Sequence, residues 1–576
     1  MIELLALTHE RVDDIPLLMG LQQRLHLAEL LDQYLGTHWL HQGLSNGTLA
    51  STWMAYILSE GDHRKYSVED WTERHRVTLE HLVGQPIRPV EFDDDRLGIV
   101  LHRLGSTPRW GELEEALWAK TVAVYDFEIT GVRLDSTTSY GYHTPTEDGL
   151  MQLGHSKDHR PDLAQFKLMA GGIEPSGHLV ACDVLPGQSA DDPLYLPLIA
   201  RIRQTLGRSG LLYTGDCKMA ALATRAHIVA HGDYYLTPLP LTGETRTDFD
   251  AWVGAVVEQG DLDSVELLWD GERLLGAGYE FQRELRAEVD GKTVNWTERV
   301  QVIRSRDLAR QQAVQLEERL TKAEAALRAL TPEPGRGKRQ YHDEGALETT
   351  IAEVVARYRV DGLLKLTWER QEKQVTRYVG RGRGGPQRPQ RTEITVRYVV
   401  TAVARDEETI AKQRHRLGWR ILVTNMSVER MTLTQAVIHY RGGWCLEQDF
   451  HLLKDRPLGI SPLYVRKDDQ IIGLTRLLSL ALRLLTLIET QLRHSLARAK
   501  ESLVGLYEGQ PNRATDSPTG TRLLKAFTRA EITLTRVELG GRTLWHITPL
   551  SGLLESILAH LGLHKSLYES LVYNSS

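Results

Sequence analysis

The chain has 576 residues, enough for three or four domains at roughly 150 residues each. Its 41% hydrophobic and 25% charged residues exclude a wholly disordered chain. Lys and Arg total 69 against 76 Asp and Glu, a net charge of −7 that, read alone, points away from nucleic acid. Three cysteines cannot build a disulfide framework and fit a reducing, cytoplasmic setting. The start, MIELLALTHERVDD, meets Glu3 at once and does not read as a signal peptide.

Residues 1–120 read as a helical N-terminal domain. Leu17, Leu18, Leu21 and Leu25 follow helical spacing, as do Leu97, Val100, Leu101 and Leu104. Asp93, Asp94 and Asp95 before the second set read as a helix start rather than a metal cluster. The pattern changes at about 121. Val122–Thr138 reads as strands ending in VRLDSTTSYGY, and Phe166–Gly171 and His178–Val184 as two more. Asp191 and Asp192 cap a helix through Leu206, and LLYTGD is a short strand ending on Asp216. A helix (Met219–Ala230) and a strand (Tyr234–Leu236) complete the segment 121–237. Hairpins followed by a βαβ crossover predict an α/β fold, a mixed sheet with helices on its faces.

Residues 238–418 read as a mixed β/α insertion. Strands are predicted at Val265–Trp269 and Gln301–Ile303, and a helix at Asp307–Leu330 with Leu316, Leu320, Ala323 and Leu327 on one face. TPEPGRGK is a linker by composition. The Gly/Pro-rich loop VGRGRGGPQRPQR follows. With its flanks it holds Arg377, Arg381, Arg383, Arg388 and Arg391 and no acid, a local charge of +5. Arginine forks suit DNA phosphates, although a solvated hairpin tip would have the same composition. Strand Glu393–Val403 resumes the pattern. In 419–500, Trp419–Thr424 reads as a strand and Leu433–Leu453 as a helix. The apolar run Ile471–Ile488 is interrupted by Arg476 and Arg483, which predicts a buried helix rather than a membrane span. Residues 501–576 mix short helices with a hairpin at Ile532–His546.

Asp135 and Asp216 each close a predicted strand, where open α/β sheets bind ligands. Taken singly, each also reads as a turn or capping aspartate. Tyr440, Glu447 and Lys454 recur every seven residues and so share a stripe of one predicted helix. A carboxylate beside a phenol and an ammonium can hold metal and grip phosphate.

These segments resemble bacterial insertion-sequence transposases of the DDE type, the group with a Tyr-Arg-Glu-Lys signature and a β-rich insertion before the catalytic Glu. The likeness runs through VRLDSTTSYGY, GHSKDHRPDLAQFKL, LLYTGDCKM with YYLTPLPLT, RILVTNM, YRGGWCLEQDFHLLKDRPL and the N-terminal DDDRLGIVLHRLG. It implies an RNase H-like catalytic core with a triad at Asp135, Asp216 and Glu447, spaced by 81 and 231 residues. It further implies two Mg²⁺ or Mn²⁺ ions, double-stranded DNA as substrate and a homodimer holding paired ends. Tyr440 and Lys454 match the signature, but its arginine position is Gly443, with Arg441 nearby as a substitute. Three converging carboxylates repel, and hard divalent cations remove that penalty. Two other readings share the residues: a metal-dependent nuclease without strand transfer, and a domesticated DNA-binding regulator.

Cys182, Cys217 and Cys445 match no zinc spacing and read as small buried thiols. His155 and His159 read as a polar loop near DNA, and Trp444 as core. Arg466, Lys467 and Arg476 form a second expected basic cluster. The net charge therefore hides local positive clusters and acids expected to meet metal.

Overall fold

The computed structural model describes residues 6–37, 42–259, 265–269, 271–381, 385–539 and 542–573. The fold is α/β, built on a nine-stranded mixed sheet. In chain order its strands are β1 (Gly131–Gly141), β2 (Ala164–Glu174), β3 (Leu179–Pro186), β4 (Leu212–Thr214), β5 (Tyr234–Pro238), β6 (Val265–Trp269), β7 (Arg273–Val289), β8 (Lys292–Ser305) and β9 (Trp419–Thr424). The spatial order is β3-β2-β1-β4-β5-β9-β8-β7-β6. β1, β2 and β3 are joined antiparallel, while β4 and β5 run parallel to β1. This is the 3-2-1-4-5 arrangement of an RNase H-like core. β2 is buried along its whole length, consistent with its run of apolar residues and close-packed glycines.

The predicted insertion splits in two. Its first strands, β6, β7 and β8, continue the catalytic sheet, because β9 pairs antiparallel with both β5 and β8. Its second half makes its own small core around Leu316, Leu320, Ala323 and Leu327, with Val354, Val360 and Ile410. From that core projects a ribbon of two long strands, Leu364–Tyr378 and Gln390–Arg405. The N-terminal region holds one strand that periodicity did not suggest. Ala6–Arg11 pairs with Thr533–Leu539 of the C-terminal hairpin, so the two chain ends share a three-stranded sheet. The expected helix start holds: Asp93 caps Asp94–Ser106 by accepting the Arg96 N–H at 2.7 Å.

A 32-residue helix, Asp468–Ala499, joins the N-terminal helices to the sheet. By length and composition it could cross a membrane, yet it lies inside the protein. It crosses Asp94–Ser106 at backbone contact. A Cβ on Gly473 would lie 2.0 Å from the Leu101 carbonyl, and one on Gly105 would lie 1.8 Å from that of Asp469. The two arginines within its apolar run find partners inside. Arg483 pairs with buried Glu114 at 2.5 Å, and Arg476 donates to the carbonyls of Leu104 and Gly105 while stacking on Trp110. Arg476 is therefore spent on packing, and the expected basic cluster with Arg466 and Lys467 loses that member.

The N-terminal helices also bury Asp14, which accepts from Ser59 Oγ at 2.6 Å. Burial pushes its carboxyl up to about 7. Between the ordinary aspartate value and 7 the folded chain keeps this proton while the unfolded chain releases it. Stability is thus greatest at low pH and falls as pH rises through that window. Urea unfolding should show a loss of roughly 3 kcal/mol between pH 5 and pH 8 that Asp14→Asn removes. An equal loss in both proteins would contradict this.

Candidate functional site

The register of the central strands sets the two aspartates at one level. Arg133 of β1 lies opposite Thr214, the last residue of β4. Two residues further along each chain come Asp135 and Asp216. Both thus stand just beyond the end of the parallel pairing, where strand order reverses between β1 and β4 and a crevice opens. β1 does not end at Asp135, as its sequence suggested, but runs on to Gly141 along its antiparallel partner β2.

The predicted helix Leu433–Leu453 is two helices, Leu433–Arg441 and Trp444–Lys454, divided at Gly442–Gly443. The single stripe expected for Tyr440, Glu447 and Lys454 is therefore broken after Tyr440. Tyr440, Arg441 and Glu447 nonetheless line one cavity of about 330 Å³ with Asp135, Asp216, Arg133 and Arg420. Lys454 lies just under two turns beyond Glu447 and pairs with Asp158 at 2.5 Å. Among the described residues no three His, Cys, Asp or Glu side chains converge closely enough to hold one ion.

Gly443 sits tightly against Arg133. A Cβ on Gly443 would lie 2.6 Å from Nη1 of Arg133. The Arg133 guanidinium fills the space that a signature arginine at 443 would enter. It donates to Glu174 Oε1 at 2.7 Å, to the His439 carbonyl at 2.8 Å and to that of Tyr440 at 3.4 Å. Burial pushes the Glu174 carboxyl up, but hydrogen bonds from His439 and Arg133 outweigh it and hold the group below the usual range. Arg441 turns to Ser305, donating at 2.8 Å. Arg133 was missed from sequence, although its place two residues before Asp135 on one strand puts both on the same face.

Asp135 is raised by burial; Lys157 opposes this, and the nearby Asp216 carboxylate adds to it. Lys157 Nζ lies 3.1 Å from Asp135 Oδ1, and the Ser136 N–H donates to the same oxygen at 2.7 Å. Asp216 Oδ1 accepts from Tyr195 OH at 2.6 Å and from the Lys218 N–H at 2.8 Å. No sequence signal pointed to Tyr195. Burial pushes the Tyr440 phenol up, so it stays protonated and can donate.

The donor set is all hard carboxylate oxygen, which suits Mg²⁺ or Mn²⁺, and Lys157 already sets a cation against Asp135. The residues fit such ions in chemistry. The thiols do not contribute: Cys182 is buried and pushed up to about 12, and burial raises Cys217 and Cys445 as well. Trp444, expected in the core, is 55% exposed at the cavity rim. Of the arginine-rich segment, Arg377 and Arg391 stand directly opposite each other on the ribbon, Arg381 and Arg388 lie at its tip, and Arg383 falls outside the described residues.

The strand order is that of an RNase H-like core. The family described as Transposase DDE domain matches residues 126–484, and a domain of unknown function (DUF4277) matches residues 7–108. The chain belongs to the transposase DDE domain family and is a DNA transposase, in a family that uses divalent metal ions. It is also similar to a piggyBac transposase synaptic complex with hairpin DNA, solved by cryo-EM. Identity is 8%, with 97% of this chain and 86% of that one covered at a TM-score of 0.34. No curated protein matches the chain.

Proposed function

We propose that this transposase cuts the ends of an insertion sequence and joins the freed 3′-OH to target DNA. Asp135, Asp216 and Glu447 would hold two Mg²⁺ or Mn²⁺ ions. The observation that carries this reading is the shared level of Asp135 and Asp216 at the strand-order reversal, with Glu447 lining the same cavity. Bound there, divalent cations supply activation of the attacking oxygen and stabilisation of the leaving one. The protein's part is positional. Tyr195 orients Asp216, the Ser136 amide orients Asp135, and Arg133 ties the helix Leu433–Arg441, just before the Glu447 helix, to the strand that carries Asp135. Tyr440 would touch a DNA phosphate at the cavity, and Lys454 and Arg441 would do so on leaving Asp158 and Ser305.

Arg377, Arg381, Arg388 and Arg391 of the ribbon, with Arg383 of the same sequence segment, serve as a DNA-backbone contact. Like charges directly opposite each other, as Arg377 and Arg391 are, destabilise a strand pair unless an anion lies between them. Arg377→Gln with Arg391→Gln should weaken binding of all duplexes alike. It should also reduce the slope of log affinity against log salt by about 2. A slope equal to that of the parent protein would assign the ribbon another role.

The protein would act as a homodimer on paired ends in the cytoplasm, with the N-terminal helices and the ribbon sharing end binding. The test is incubation with Mg²⁺ and DNA carrying the element's terminal repeats. Cleaved and joined products are expected; cleavage without joining would indicate a nuclease, and binding without cleavage a regulator.

A further inference from the structure

The sequence segment GHSKDHRPD drew attention through its histidines, yet its lysine and aspartate reach the site. Lys157 Nζ pairs with Asp135 at 3.1 Å and also donates to the Ser136 carbonyl. Its backbone N–H donates to Thr138 Oγ1 of β1 at 2.9 Å. The next residue, Asp158, accepts from Lys454 at 2.5 Å, on the helix that carries Glu447. The segment thus straps β1 to the glutamate helix, with one ion pair at each side of the crevice. Ser156 Oγ stiffens it by accepting the N–H groups of Asp158 at 3.2 Å and Arg160 at 3.1 Å. His159 sits at φ 58, a left-handed conformation that a β-carbon residue rarely adopts, so the strap is held under backbone strain. Asp191, the other carboxylate near Lys157, is already engaged by Lys167 at 2.5 Å and by the Ser136 hydroxyl at 3.2 Å.

We propose that Lys157 is a built-in competitor for the Asp135 carboxylate, and that divalent-cation binding at Asp135 is linked to release of the strap, Lys157 and Lys454 together. The inference rests on the reading of Asp135 as a metal ligand. The physics is like-charge exclusion. An ammonium 3.1 Å from Asp135 Oδ1 and a divalent cation on the same carboxylate repel strongly in a half-buried site, so each weakens the other. Linkage makes the effect reciprocal: whatever displaces Lys157 is bound less tightly by the cost of displacing it. Release frees two ammonium groups beside the crevice, where a phosphate backbone would meet them. Lys157 is a positioning residue in this account, acting through Asp135 and its cation.

The test uses the full-length protein without DNA and reads Mn²⁺ binding by electron paramagnetic resonance. Thermal melts confirm that each variant is folded. Lys157→Met should bind Mn²⁺ about ten-fold more tightly than the parent chain, within the usual span of coupling between sites. Lys157→Arg should restore the weaker binding. Asp158→Asn, which unlatches the far side without touching Asp135, should tighten binding in the same direction by about three-fold. Amide exchange over residues 155–162 should speed up on adding Mn²⁺ in the parent protein. Mn²⁺ binding that survives in Asp135→Asn would overturn the ligand reading and this inference with it. Binding lost in Asp135→Asn but unchanged or weaker in Lys157→Met would overturn this inference alone.

Discussion

Asp135→Asn, Asp216→Asn and Glu447→Gln should each remove both cleaved and joined products, with rates falling on the order of a thousand-fold or more. Each substitution keeps the shape and removes one negative charge, so the fold should survive. DNA binding should change by less than about three-fold, because the phosphate backbone and its cationic partners dominate affinity. The three should also fail alike. Asp135 and Asp216 stand at one level of the sheet and Glu447 lines the same cavity, so on the proposed reading loss of any one would disable the cation site they share. Gel assays of strand cleavage and strand transfer, run beside a mobility-shift titration, read all three quantities. Full activity in any one variant would remove that residue from the site.

The second large effect is on stability. Glu114 is buried and accepts from Arg483 at 2.5 Å and from the Cys182 backbone N–H at 3.0 Å, with Arg201 at 3.4 Å. These contacts tie the central helix, the helix Trp110–Val124 and edge strand β3 together. Arg483→Met removes one partner and leaves a buried carboxylate with half its compensation, at a cost of about 3–5 kcal/mol. Chemical denaturation should show that loss, and Glu114→Gln combined with Arg483→Met should recover part of it. A loss under about 1 kcal/mol would mean that Arg201 alone suffices to neutralise Glu114.

Much of the catalytic core was legible in the sequence because its signals are local. The strands around Asp135 and Asp216, the crossover helices and the buried face of Arg306–Arg328 follow from periodicity and turn residues, although Val122–Val124, expected as strand, ends the helix Trp110–Val124 and the strand starts at Gly131. The site residues came from spacing and from family likeness. What was not legible depends on distant pairing. The extension of the sheet through β9 joins residues more than a hundred positions apart, and Ala6–Arg11 finds its partner more than five hundred residues away. The break at Gly442–Gly443 was hidden because two short helices in tandem keep the same apolar spacing as one. The Arg133 guanidinium that packs against Gly443 comes from a distant strand. Trp444 misled for a similar reason: a large aromatic three residues before Glu447 reads as core, but it stands exposed at the start of the second helix. Arg476 misled in the opposite sense, since a cation near a basic cluster can spend its donors on helix-end carbonyls.

If these carboxylates hold the cations that cut DNA, as proposed, Asp216→Cys will show it most directly. A thiolate binds Mn²⁺ better than hard Mg²⁺. Strand cleavage by this variant should fall on the order of a hundred-fold or more in Mg²⁺ and recover in part in Mn²⁺, while the parent protein cuts in both. Undiminished cleavage in Mg²⁺, or the same loss in both metals, would contradict the assignment of Asp216 as a metal ligand.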